Sequence, residues 1–353
     1  MTPDVIIVGA GVMGASLARR LSADGLATLI CGWEAPERDS SWAAAGMLCA
    51  QVEAHEPGPF LDLLVAAEAR WVEFDGRFDY RREGALQLAL DDRERKGLLR
   101  QREWQVQRGL PVELLEPEEI GKLEPGVSRE VTGASFFPRG GQVDNRALVA
   151  GLLADAEVFG ARRRSGRVDE VLVEKSRVRG VRVEGERLEA GVVAVAAGAW
   201  TDAIKGLGIA SSVPVRGQLI ALPACPVTRP VFGGGGYVLP KGGACVCGTT
   251  MERVGFDARV TAQGKELLLR RARRLCPSLG GTEIAAAWAG LRPATADGLP
   301  AFGPTPIEGL HLAVGLFRNG ILLAPLAADL MARAIEGDAD VVPEPFRASR
   351  LFV

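Results

Sequence analysis

The chain has 353 residues, enough for one large domain or two interleaved units. Apolar residues make up 47% and charged residues 24%, and 42 Lys+Arg against 44 Asp+Glu leave a formal charge of −2. That balance argues against a protein that binds nucleic acid by neutralising phosphates. Only two histidines (His55, His311) and two tyrosines (Tyr80, Tyr237) are present, so a multi-His metal site is nearly excluded and any hard chemistry points to a cofactor.

The chain opens on Met1-Thr2-Pro3-Asp4 and enters an apolar run at once, with no basic stretch leading an apolar one. No apolar run approaches the roughly 18–20 residues that a membrane helix needs. The expectation is a cytoplasmic protein without a membrane span. The cysteines are Cys31, Cys49, Cys225, Cys245, Cys247 and Cys276, none in a C-x-x-C pair. Cys245 and Cys247 would share one face of a strand. All six read as small buried hydrophobes.

Residues 4–9 form a continuous apolar run, as a strand buried on both faces would. Gly9-Ala10-Gly11-Val12-Met13-Gly14 follows directly. A helix then carries Leu17, Ala18 and Leu21 at packing positions and closes near Gly25, before a second strand over 26–31. The periodicity predicts helices over 60–78 and 148–156, a strand over 85–90, and a charged helix after it. Pro117 marks a further helix start. Strands are expected within 167–195 and over 214–222, 231–239, 244–251 and 309–315, with helices over 261–276 and 320–336.

The strand–Gly-x-Gly-x-x-Gly–helix order places a helix N-terminus where a pyrophosphate would sit. It predicts dinucleotide binding at Gly9, Gly11 and Gly14. The usual acidic ribose ligand is replaced by Gly32. Glu34 could reach the ribose, with backbone of Gly32 and Trp33 contributing.

Ser40-Ser41-Trp42-Ala43-Ala44-Ala45-Gly46-Met47-Leu48 resembles the segment after the second strand in the D-amino-acid oxidase family of FAD-dependent oxidoreductases, and its core resembles glycine oxidases. Trp288-Ala289-Gly290-Leu291-Arg292-Pro293 and Phe317-Arg318-Asn319-Gly320-Ile321-Leu322-Leu323-Ala324-Pro325 are similar to glycine oxidases too. The resemblance implies an α/β fold: a Rossmann-like FAD-binding domain (1–80, 140–212, 286–353) interleaved with an α+β substrate domain on a mostly antiparallel sheet (81–139, 213–285).

It also implies non-covalent FAD. Val12 and Met13 would serve the pyrophosphate, and Ser40 and Ser41 its phosphate side. Ala45, Gly46 and Met47 would lie along the flavin, and Val168 would hold the adenine. Gly198 and the run Leu316, Phe317, Arg318, Asn319, Gly320, Ile321 and Leu322 would complete the cradle, the latter around the flavin pyrimidine edge. Arg292 would take a substrate carboxylate, with Tyr237, Met251, Arg318 and Gly46 also at the substrate. No protein acid or base is implied. Gly235 and Leu316 depart from the family, standing where glycine oxidases can carry histidines. His55 and His311 read as structural.

The implied activity is oxidative deamination of glycine, sarcosine or a small D-amino acid with molecular oxygen, serving thiazole synthesis for thiamine, in a homo-oligomer. A D-amino-acid dehydrogenase passing electrons to a quinone or carrier would use the same carboxylate site. A flavin-bound scaffold with a degenerate site is disfavoured, because Arg292 and Tyr237 are both present.

Overall fold

The computed structural model describes residues 2–32, 39–54, 56–209, 212–338 and 340–352. The chain opens with β1 (Val5–Val8), α1 (Val12–Ala23), β2 (Thr28–Gly32) and α2 (Ser40–Ala43). Next come β3 (Met47–Leu48), α3 (Ala50–Glu53), α4 (Pro59–Arg70), β4 (Ala85–Ala89), α5 (Asp92–Gln107), β5 (Glu113–Leu115), α6 (Pro117–Leu123), β6 (Gly133–Phe137) and β7 (Gly141–Gln142). A third stretch holds α7 (Asn145–Val158), β8 (Arg162–Ser165), β9 (Val168–Glu174), β10 (Arg177–Val183), β11 (Glu186–Glu189) and β12 (Val192–Val195). The fourth holds β13 (Val213–Leu222), β14 (Val231–Gly233), β15 (Gly236–Lys241), β16 (Ala244–Gly248), α8 (Ala262–Leu275) and β17 (Ala286–Ala294). The last holds β18 (Ala301–Pro304), β19 (Leu310–Val314) and α9 (Gly320–Ile335).

These elements form two units, one of residues 1–44, 145–215 and 291–353, the other of 45–144 and 216–290. Residues 45–80 therefore group with the second unit, whereas the sequence had suggested a boundary near 80. The reason is packing: Ala45, Cys49 and Val52 share a buried cluster with Ala85, Phe137 and Phe232. Gln51 and Gln105 are bonded to each other at 3.1 Å inside the same unit.

The first unit is built on a six-stranded sheet in the order β18-β19-β12-β1-β2-β8. β1 is fully buried and pairs in parallel with β12 on one side and β2 on the other. An apolar run without alternation suits such a central strand, since both of its faces are covered. Val193, Val195, Leu310 and Leu312 pack one face against Val171, Val178 and Val181 of the antiparallel sheet β11-β10-β9. On α1, Leu17 and Leu21 are fully buried, and the helix packs against α7 and α9. Truncating either leucine to alanine should cost about 2–5 kcal/mol. The chain leaves β1 toward β2 and returns on the opposite side at β12, which makes the carboxyl ends of β1 and β12 the topological switch point.

The second unit carries an eight-stranded sheet, β17-β13-β16-β15-β14-β4-β6-β5, in which β14 meets β4 in parallel and the β13–β16, β16–β15, β15–β14, β4–β6 and β6–β5 pairs are antiparallel. Its strands alternate. Leu86, Ile220, Val238 and Cys247 enter the core that includes Leu268, Ala272 and Leu275 of α8. Leu219, Tyr237, Leu239 and Val246 enter the core on the other face. The period-2 pattern of these strands thus buries both faces. Residues 231–239 are a hairpin rather than one strand. Gly234 and Gly235, with φ of 55° and 75°, form its two-residue turn, a conformation that β-carbon-bearing residues resist.

Candidate active site

At the switch point the Gly9 N–H donates to Cys31 O at 2.8 Å. A β-carbon on Gly9 would collide with the Ala196 carbonyl, and one on Gly14 with the Gly9 carbonyl. Gly32 is equally constrained, since its β-carbon would lie 2.9 Å from that of Ala10. Gly11 stands at the N-cap of α1, and its missing side chain leaves that position without a capping group of its own. Val12 and Met13 are buried in its first turn. The result is a backbone cradle with a positive dipole end, which suits a dinucleotide pyrophosphate.

α2 supplies the polar rim. The Val12 N–H donates to Ser41 Oγ at 2.9 Å. Ser40 Oγ lies 3.9 Å from where a Gly198 β-carbon would sit, and Gly198 has φ 57°. The Gly198 carbonyl accepts from Thr201 Oγ1 at 2.8 Å, which fixes that turn. The structure therefore brings Gly9, Gly11, Val12, Gly14, Ser40, Ser41 and Gly198 together. Val168 is buried in β9. Trp33 and Glu34 lie outside the described residues, as does His55.

Two residues here had no signal in the sequence. Asn145 is fully buried and donates through Nδ2 to the carbonyls of Ser41 and Trp42, pinning α2 to the start of α7. Asp39 precedes α2, and its carboxylate oxygens lie 3.6 and 3.7 Å from a β-carbon placed on Gly11. Burial pushes its carboxyl up to about 6.

Leu316, Phe317, Arg318 and Asn319 form the link from β19 to α9. The Phe317 N–H donates to Pro293 O at 2.8 Å, and that of Asn319 to Leu316 O at 2.9 Å. Phe317 adopts φ 46°, a left-handed conformation that a phenylalanine holds only when its surroundings impose it. α9 opens at Gly320, so the N–H groups of Gly320, Ile321 and Leu322 have no acceptor within the helix. Arg292 lies in β17 two residues before Ala294 and is half-buried beside buried Leu291 and Pro293. His311 is buried in β19, and burial pushes its imidazole down to about 4, so it is neutral core.

In the second unit, Gly46 has φ 94°, and its carbonyl accepts the Val143 N–H at 2.8 Å. Ala45 is buried, and Met47 pairs with Gln142. Tyr237 is buried, edge-on to Phe232 with ring centroids 6.1 Å apart. A β-carbon on Gly248 would collide with the Tyr237 ring, so this glycine makes room for the phenol. Met251 is 57% exposed on the segment that leaves β16. The base of that segment is held by buried Arg216, which pairs with Glu252 at 2.6 Å and Asp257 at 3.2 Å. Burial opposes ionisation of Glu252, but hydrogen bonds from Arg216, Thr250 and Gln218 hold its carboxyl down at about 2.

Residues 4–334 match the model of the family described as FAD dependent oxidoreductase, DAO. The glycine oxidase of Bacillus licheniformis is 31% identical over 98% of this chain and 97% of its own. The bifunctional protein ThiO/ThiG of Nostoc is 33% identical over 99% of this chain but only 55% of its own, so this chain spans about half the length of that relative. The crystal structure of glycine oxidase from Geobacillus kaustophilus superposes with a TM-score of 0.91 at 33% identity, covering 99% of both chains. The chain belongs to the DAO family of FAD-dependent oxidoreductases.

Proposed function

We propose that the protein oxidises glycine or another small amine-bearing acid, sarcosine and small D-amino acids included. Amine, oxygen and water would give the oxo acid, hydrogen peroxide and ammonia, or methylamine in place of ammonia when the substrate is sarcosine. The observation that carries this reading is the full-length match to glycine oxidases together with a guanidinium, Arg292, set in an apolar strand. The half-length match to ThiO/ThiG supports a role in supplying thiazole synthesis for thiamine.

FAD, when bound, supplies the two-electron acceptor for the substrate Cα–H bond. The chain's own groups do the rest. The first turn of α1 and the Ser40 and Ser41 hydroxyls would hold the pyrophosphate, and Val168 the adenine. Ala45, Gly46 and Met47, with the 316–322 turn and the α9 N-terminus, would fix the ring and favour negative charge on its pyrimidine edge. Arg292 would bind the carboxylate as a bidentate pair, and Tyr237, Met251 and Arg318 would line the substrate. No side chain need remove a proton if the amine binds neutral, so positioning dominates.

The proposal extends to a cytoplasmic homo-oligomer. Among the described residues no helix is long and apolar enough to cross a membrane. The test is oxygen uptake and peroxide yield by the yellow protein with each amine. One peroxide per amine is the expected result, and turnover needing a quinone would overturn it. Arg292→Ala should raise KM for carboxylate-bearing amines about thirtyfold or more; an unchanged KM removes Arg292 from the site.

A further inference from the structure

Lys241 ends β15 on the strand face that also carries Tyr237 and Leu239, both of which enter the core with Ala45. An ammonium on such a row needs polar partners. Its Nζ donates to the Ala45 carbonyl at 3.4 Å and pairs with Asp144 Oδ1 at 3.8 Å, and only 15% of the side chain is exposed. The segment it grips is held at other points too. The Gly46 carbonyl takes the Val143 N–H at 2.8 Å, and Met47 pairs with Gln142. Gln142 Nε2 and Arg81 Nη2 both donate to Pro240 O, at 2.5 and 3.0 Å, and so tie the end of β15 to the same place. All of these residues belong to the second unit.

Gly46 is buried, yet its N–H has no acceptor among the described residues. Buried backbone donors are almost always paired, so this one points to a ligand. The Ala45–Gly46 peptide is trans, and its N–H therefore faces away from its carbonyl. A cation bonded to the carbonyl fixes the direction of that N–H. It also draws electron density from the peptide, which makes the N–H a stronger donor.

We propose that Lys241 is a positioning residue for the flavin: through the Ala45 carbonyl it aims and strengthens the Gly46 N–H as a donor to the ring, and so favours the reduced cofactor. This rests on the reading that residues 45–47 lie along the flavin. A donor aimed at an acceptor atom of the ring is worth more once that atom carries the added negative charge.

The midpoint potential of the holoprotein should be measured by dye-coupled reduction with no amine present, which makes the result independent of the substrate. Lys241→Met should weaken binding of reduced relative to oxidised flavin about threefold to tenfold, a fall of about 15 to 30 mV for two electrons. Lys241→Arg keeps the charge and should restore most of that loss. Asp144→Asn removes the charge that opposes the ammonium and should raise the potential, whereas a purely structural pair would respond alike to both losses. If Lys241→Met fails to fold or hold flavin, the sign of the Asp144→Asn shift decides alone. A potential that Lys241→Met does not lower, or that Asp144→Asn lowers, overturns the proposal. The flavin absorbance of Gly46→Ala separates the two ways to fail. A moved spectrum with unmoved Lys241 variants removes Lys241 alone, and an unmoved spectrum removes the whole segment from the ring.

Discussion

Asp39 offers a sharp test of the cofactor cradle. Its carboxyl stands beside Gly11 at the mouth of the glycine turn, and burial raises it from 3.8 to about 6. The folded chain therefore binds more protons than the unfolded one between those values, so stability falls as pH rises through that window. The penalty is about 1 kcal/mol near pH 4.5 and levels off at no more than about 3 kcal/mol near pH 8. Asp39→Asn keeps the shape and removes the charge. It should stabilise the apoprotein against urea by up to about 3 kcal/mol at pH 8 and by much less at pH 4.5. A pyrophosphate at α1 brings more negative charge to the same spot. FAD should then bind the wild type with proton uptake, weakening from pH 5 to 8 relative to Asp39→Asn when followed by quenching of flavin fluorescence. Parallel pH profiles for the two proteins, in both urea and flavin titrations, would refute the argument.

Three further outcomes are expected. Asn145→Ala removes the Nδ2 donor from the Ser41 and Trp42 carbonyls, of which Trp42 O keeps a 3.3 Å bond from Arg146 Nε, and should cost about 1–3 kcal/mol, with looser FAD by equilibrium dialysis; unchanged FAD affinity would separate this anchor from the cradle. Gly14→Ala drives a β-carbon into the Gly9 carbonyl, so the purified protein should be colourless, and a yellow protein of normal affinity contradicts the reading of the turn. Glu124 is fully buried and pairs with Arg229 at 2.7 Å, so Glu124→Ala should destabilise by about 3–5 kcal/mol in urea, against little effect if the pair is dispensable.

What could be read beforehand depended on how local the signal was. β1, the glycine turn and α1 were legible because apolar run, glycine spacing and helical period lie within one short stretch. β8 was not. Its Arg-Arg-Arg-Ser sequence is exposed throughout, at a sheet edge with no apolar alternation to betray it. The β14–β15 hairpin was read as one strand because glycines carry no side-chain periodicity. Asn145 matters through Ser41 and Trp42, partners 104 and 103 residues away that no window of sequence contains. Arg292, Tyr237 and the 316–322 turn were placed only by resemblance, since a lone arginine or tyrosine in apolar text has several ordinary explanations.

The chain passes between the two units after Ala44, Asp144, Val215 and Gly290. That path carries a cost during synthesis. β1 emerges first but finds its β12 neighbour, and the Ala196 carbonyl that closes over Gly9, only after an entire portion of the other unit has been made. β19 must wait longer still to complete the parallel sheet. On the ribosome, the earliest strand can pair with β2 at once but is left with its other edge open until more than half of the chain has been made, a state prone to wrong pairing. Neither unit can be cut out as one continuous piece of gene. The dinucleotide turn, though encoded at the very start of the chain, becomes able to hold its cofactor only near the end of synthesis.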